Sequence, residues 1–110
     1  MHIFSTLFTA GCVVDKLTDE ENVASAIKWC RGTNISRVYI EVYRDRKFAD
    51  VSLLSHLKNR FTAAGFDVRG CVTTTRLGKQ STGWEVASCF TARETLEELQ
   101  SVFERAATVF

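Results

Sequence analysis

Apolar and polar residues alternate most regularly over Arg37–Tyr43, where Val38, Ile40 and Val42 line one face and Tyr39, Glu41 and Tyr43 the other. The run is dense in β-branched and aromatic residues, which suit a pleated surface. Both faces are coverable, as in a buried parallel strand. Two further strands are predicted, Ile3–Thr9 and Asp67–Thr75. Between them the period changes to that of a helix. Val23, Ala26, Ile27 and Cys30 recur at helical spacing behind a Thr18/Glu21 capping box, and Gly32 and Asn34 give the stop signals. Leu54, Leu57, Phe61 and Ala64 follow a cap at Asp50, and Gly65 ends that helix. A third helix is predicted from Thr91, with Glu94 in its first turn and Leu96, Leu99, Phe103, Ala106 and Phe110 as its stripe.

The order is therefore βαβαβα. Strands alternating with amphipathic helices predict an α/β fold with a parallel sheet and right-handed crossovers. The spacing of about thirty to thirty-five residues suits one βα unit of a barrel or of an open doubly wound sheet. Consecutive addition predicts the neighbouring strand order 1-2-3, whereas 2-1-3 would mark the doubly wound alternative. The 110 residues form a single segment, residues 1–110. Helix three is still apolar at Val109 and Phe110, and three parallel strands leave two unpaired edges. Both features lead to the expectation that the chain is the N-terminal piece of a larger βα protein, and that it self-associates as a homo-oligomer when isolated.

Charge and composition narrow the classes. The net charge is +1, which gives no global attraction to nucleic acid or to an acidic membrane. Hydrophobic residues make up 45%, too many for a disordered chain. None of Cys12, Cys30, Cys71 and Cys89 lies within three residues of another, so there is no zinc or redox motif, and neither metal nor cofactor is expected. Free thiols are the expectation, with a Cys71–Cys89 disulfide as the alternative. The opening "MHIFSTLFTAGC" lacks the basic n-region of a signal peptide, which favours a cytoplasmic protein. No segment is long enough to span a membrane.

In both parallel architectures ligands bind at the C-terminal ends of the strands. That edge collects Thr9–Cys12, Glu41–Arg46 and Thr73–Lys79. The connection Arg76–Phe90 outruns an ordinary βα loop, and loops of that size are often functional. Gly78-Lys79-Gln80-Ser81-Thr82 is not a P-loop. Thr73 stands where the first glycine belongs, and Gln80 separates the lysine from the hydroxyl residue. Arg44, Arg46, Lys47, Arg76 and Lys79 either hold an anionic ligand or form a solvated face. Glu41 lies in an otherwise apolar strand, where an unpaired carboxylate would be costly. It is either a structural ion pair with Arg44 or Arg69, or a substrate ligand or acid/base group. Asp45 and Glu85 are the candidate second acids for a reaction that needs two. Trp84 either packs the loop or offers a face for a sugar ring, and Trp29 is expected to pack helix against sheet. Thr73, Thr74 and Thr75 are either strand formers or hydroxyl donors at a pocket rim.

"VYIEVYRD", a helix ending "AAGFDVRGCVTTT", and then "GKQSTGWEVASCFT" resemble a group of bacterial glycoside hydrolases with a TIM-barrel catalytic domain. The resemblance runs from about Val13 to Phe110. It implies the first three units of a (β/α)8 barrel, the N-terminal portion of a larger domain. It also implies a carbohydrate substrate, with Glu41 as the candidate catalytic residue and Arg44, Thr73, Thr74, Arg76 and Trp84 as candidate substrate-binding residues. The family's next strand, with adjacent acidic residues, would begin past Phe110, so the chain alone is expected to be inactive. The alternative is a free-standing α/β module that binds a ligand or partner without catalysis.

Overall fold

The computed structural model describes residues 2–81, 83 and 86–110. Among them the elements run β1 (Ser5–Phe8), α1 (Ala10–Asp15), α2 (Glu20–Gly32), β2 (Arg37–Arg44), β3 (Lys47–Phe48), α3 (Val51–Ala63), β4 (Asp67–Val72) and α4 (Arg93–Val109). The fold is mixed α/β. β2 is central, with β1 parallel on one side and β4 parallel on the other. The three predicted strands thus lie in chain order. β3 was not expected. It closes a hairpin on the end of β2, pairing Tyr43 with Phe48 and Arg44 with Lys47. Asp45 and Arg46 make its two-residue turn with φ of 46° and 69°, the left-handed pair that a tight hairpin requires.

Register divides the sheet into two faces. Thr6, Val38 and Val68 form one row across it, and Phe8, Ile40 and Gly70 another two residues on. These rows face the helices. Val38, Ile40 and Val42 are fully buried with Val23, Ile27 and Cys30 of α2, Leu54, Leu57 and Phe61 of α3, and Val109 of α4. Phe110 lies directly on Gly70, where a Cβ would meet its ring at 2.6 Å. The other face carries the row Leu7, Tyr39 and Arg69, which joins neither apolar cluster of the described residues, and Leu7 remains 40% exposed. The N-terminal end of that face is an ion-paired row, Arg37 and Arg69 both on Asp67.

The helices depart from expectation in specific ways. Asp19, not Thr18, caps α2 by accepting the Glu21 N–H, because Asp19 stands one residue before the first helical turn and its carboxylate reaches the amide two residues on. The Asp50 cap on α3 is as predicted, accepting from the Leu53 N–H at 2.7 Å. α4 begins at Arg93 behind Ala92 with no side-chain cap. Its deepest residues are Thr95, Val102 and Val109, while Leu96 and Phe103 of the predicted stripe are about half exposed. Trp29 is 52% exposed and does not pack helix against sheet, since Val23, Ile27 and Cys30 already fill that side of α2. All four cysteines are free thiols.

Candidate functional site

Parallel pairing brings the C-terminal ends of β1, β2 and β4 together, and Glu41 lies where they meet. Its side chain is fully buried. Oε1 accepts from the Ala10 N–H at 2.9 Å, the first turn of α1 just past β1. Arg44 donates through Nε to both carboxylate oxygens, at 2.9 and 3.1 Å, and through Nη2 to Oε2 at 3.1 Å. The Thr73 hydroxyl, just past β4, donates to Oε2 at 2.6 Å. Arg69, the other candidate partner, is engaged by Asp67 instead.

Burial pushes the Glu41 carboxyl up, but Arg44, the Ala10 amide and the Thr73 hydroxyl outweigh it and hold the group below the usual carboxylate range. Glu41 is therefore ionised near neutral pH, with donors around both oxygens. Cys71, its cross-strand partner on β4, moves the opposite way, because burial and then the Glu41 charge raise its thiol.

The long connection after β4 is fastened rather than free. Leu77 is buried, its amide donates to Ser88 Oγ at 2.8 Å, and that hydroxyl donates to the Thr74 carbonyl at 2.7 Å. Gly78 N–H donates to Glu98 Oε2 at 2.6 Å, and Lys79 N–H to Thr95 Oγ1 at 2.9 Å. Arg46 joins the same knot through Glu98 and the Gly78 carbonyl. The Tyr43 hydroxyl donates to the Arg76 carbonyl at 2.7 Å. The basic, glycine-spaced stretch is thus a clasp between the hairpin and the start of α4. Thr95, Glu98, Ser88 and Tyr43 carry it; the sequence pattern marks only Tyr43, as a strand residue, since a threonine and a glutamate in the first two turns of a helix read as ordinary solvated positions.

Arg76 has φ of 53°, and its Nε is buried with no hydrogen bond among the described residues, Asp45 Oδ1 standing 3.8 Å away. Thr75 Oγ1 is likewise buried without a partner among the described residues. The structure therefore brings Glu41, Arg44 and Thr73 into contact, while Thr74 and Arg76 follow on the same edge. Trp84 and Glu85 lie outside the described residues. Among the described residues no three His, Cys, Asp or Glu side chains gather as a metal site.

Over residues 1–110 the chain matches the family described as "Probable glycosyl hydrolase, catalytic domain", and it belongs to that family. No curated protein and no solved structure matches it.

Proposed function

We propose that this chain is the N-terminal part of a carbohydrate-active (β/α)8 barrel, with its substrate site at the C-terminal ends of the strands. The observation that carries the reading is the knot at Glu41, where three parallel strand ends converge in a chain of glycosyl hydrolase family. Two features support the barrel. The long strands follow chain order, and all four helices contribute side chains to the cluster around Val38, Ile40 and Val42, with α4 also reaching a smaller cluster at Tyr43 and Leu77, whereas a doubly wound sheet reverses its order and covers both faces.

In this reading Thr73, Thr74, Arg44 and Arg76 hydrogen-bond saccharide, and Trp84 offers a stacking face. Glu41 serves as an ionised carboxylate that sets Arg44 and Thr73. It has no proton to give to a leaving group, and glycoside hydrolysis generally needs two carboxyl groups flanking the bond. Glu41 is the one carboxylate in this hydrogen-bonded knot of described residues. The expected result is saccharide-induced amide shifts at Arg44, Thr73 and Thr74 in heteronuclear NMR, with no turnover of an aryl glycoside panel. Hydrolysis abolished by Glu41→Gln would instead make Glu41 catalytic.

The open flanks predict self-association. Ile3 and Phe4 beside β1 are each more than half exposed, as is Phe103 on α4. A groove of about 380 Å³ runs along β4 between Val68, Gly70, Phe103 and Phe110. Burying one large apolar side chain contributes roughly 1.5–3 kcal/mol, so a few such contacts hold two copies together. Light scattering at micromolar concentration should report a dimer, and Phe103→Glu should shift it toward monomer. A concentration-independent monomer would favour the free-standing module.

A further inference from the structure

The arginines near the C-terminal edge of the sheet differ in what they have left to offer. Arg46 is held by Glu98 and the Gly78 carbonyl. Arg105 donates to the Ala49 carbonyl and lies over the Phe48 ring. Arg44 is different. Its Nε and Nη2 are fixed on buried Glu41, while its side chain is 42% exposed and Nη1 has no partner among the described residues. Arg76 is different again. It is 43% exposed, and among the described residues its guanidinium makes no hydrogen bond and meets one anion, Asp45 at 3.8 Å. Asp45 directly follows Arg44 in the β2–β3 turn, so the two arginines flank one tight turn.

The anions there do not match these donors. Both Glu41 oxygens are already surrounded by Ala10, Arg44 and Thr73. Asp45, in a turn at φ 46°, stays beyond hydrogen-bond reach of Arg76. The guanidinium presents paired N–H donors in a planar fork, which fits the two oxygens of a carboxylate better than isolated sugar hydroxyls. Arg44 gains further from being held in place by a buried partner, because little rotamer freedom is left to lose on binding.

We infer that the site takes an acidic saccharide, a sugar bearing a uronate carboxylate, and that Arg76, with the free edge of Arg44, receives that carboxylate. The inference rests on the carbohydrate reading above and adds the charge of the substrate to it.

The test is NMR titration of the full chain with trigalacturonate, galactotriose and sodium acetate at two salt concentrations. Trigalacturonate should bind about tenfold more tightly than galactotriose, a preference that shrinks as salt rises. Arg76→Gln should remove most of that preference, and Arg76→Lys, which keeps the charge without the fork, should restore part of it. An unchanged circular dichroism melt shows that the variants are folded. If galactotriose binds as well as trigalacturonate and Arg76→Gln changes neither, the acidic-substrate inference fails while the carbohydrate reading stands. If acetate binds as well as trigalacturonate, the arginines are a general anion patch and the inference fails. If neither saccharide binds, the carbohydrate reading itself falls, and the inference with it.

Discussion

Gly78→Ala should lower the melting temperature by more than any other single methyl addition to the chain. Gly78 has φ of +53°, where an L-residue costs roughly 1–2 kcal/mol. A Cβ there would also lie on the Thr95 Cα, 2.5 Å from the Thr95 nitrogen and 2.7 Å from the Glu94 carbonyl carbon. All of these are backbone atoms of the first turn of α4, so no rotamer change relieves the clash. Either α4 moves or the loop lifts. Lifting it releases the Gly78–Glu98, Lys79–Thr95 and Arg46–Gly78 hydrogen bonds together. Overpacking and strain of this kind cost about 3 kcal/mol or more, a drop on the order of 12 °C for a chain this size. Gly83→Ala is the control. Its φ is +83° but a Cβ would meet nothing among the described residues within 4 Å, so the backbone cost is the one expected. Thermal melts of the two variants by circular dichroism separate the contributions. Equal melting temperatures would mean that Gly78 does not dock on α4.

What the sequence made legible follows how local the physics is. β2 could be read because alternation is a local signal, and the Asp50 cap because a carboxylate before a first turn has a nearby target in Leu53 N–H. α1 could not, because six residues carry too little periodicity to show a face. On α4 the predicted Leu99, Ala106 and Phe110 do pack against the core, but the deepest burial falls one residue earlier than Leu96 and Phe103, about 100° around the helix. Leu96 and Phe103 form as good an apolar stripe as the true one. What decides is Thr95, whose hydroxyl receives the Lys79 amide, and Val102, which packs on Tyr43 and Leu77. Those partners are remote in sequence. Glu41 shows the same division. Its ion pair with Arg44 lies three residues along the chain and was foreseeable, but the Ala10 amide and the Thr73 hydroxyl arrive only through the strand pairing.

Glu41→Gln should destabilise the fold, and the loss should depend on pH. An amide keeps the shape but offers one acceptor oxygen where two stood, and it turns an N–H₂ toward donors. Ala10, Arg44 and Thr73 cannot all be satisfied. A buried hydrogen bond to a charged group contributes about 1.5–3 kcal/mol. Arg44 is partly exposed and recovers water when released, so the expected loss at pH 7 is about 2–3 kcal/mol rather than the larger cost of stranding a fully buried charge. The sign of the pH effect follows from the depressed carboxyl of the folded state. In the unfolded chain Glu41 takes up a proton at about pH 4.3, while in the folded chain it does so only at lower pH. Between those points the unfolded state binds more protons, so acid removes the stability that the carboxylate supplied above them. Glutamine has none to lose. Urea denaturation at pH 7 and pH 3 should therefore show the two proteins converging as pH falls. Asp67 and Glu20, also held below their usual range, titrate in both proteins and cancel in the comparison. A gap of constant size would mean that Glu41 is not held ionised by its knot, and a proton-donor role for it at the strand ends would reopen.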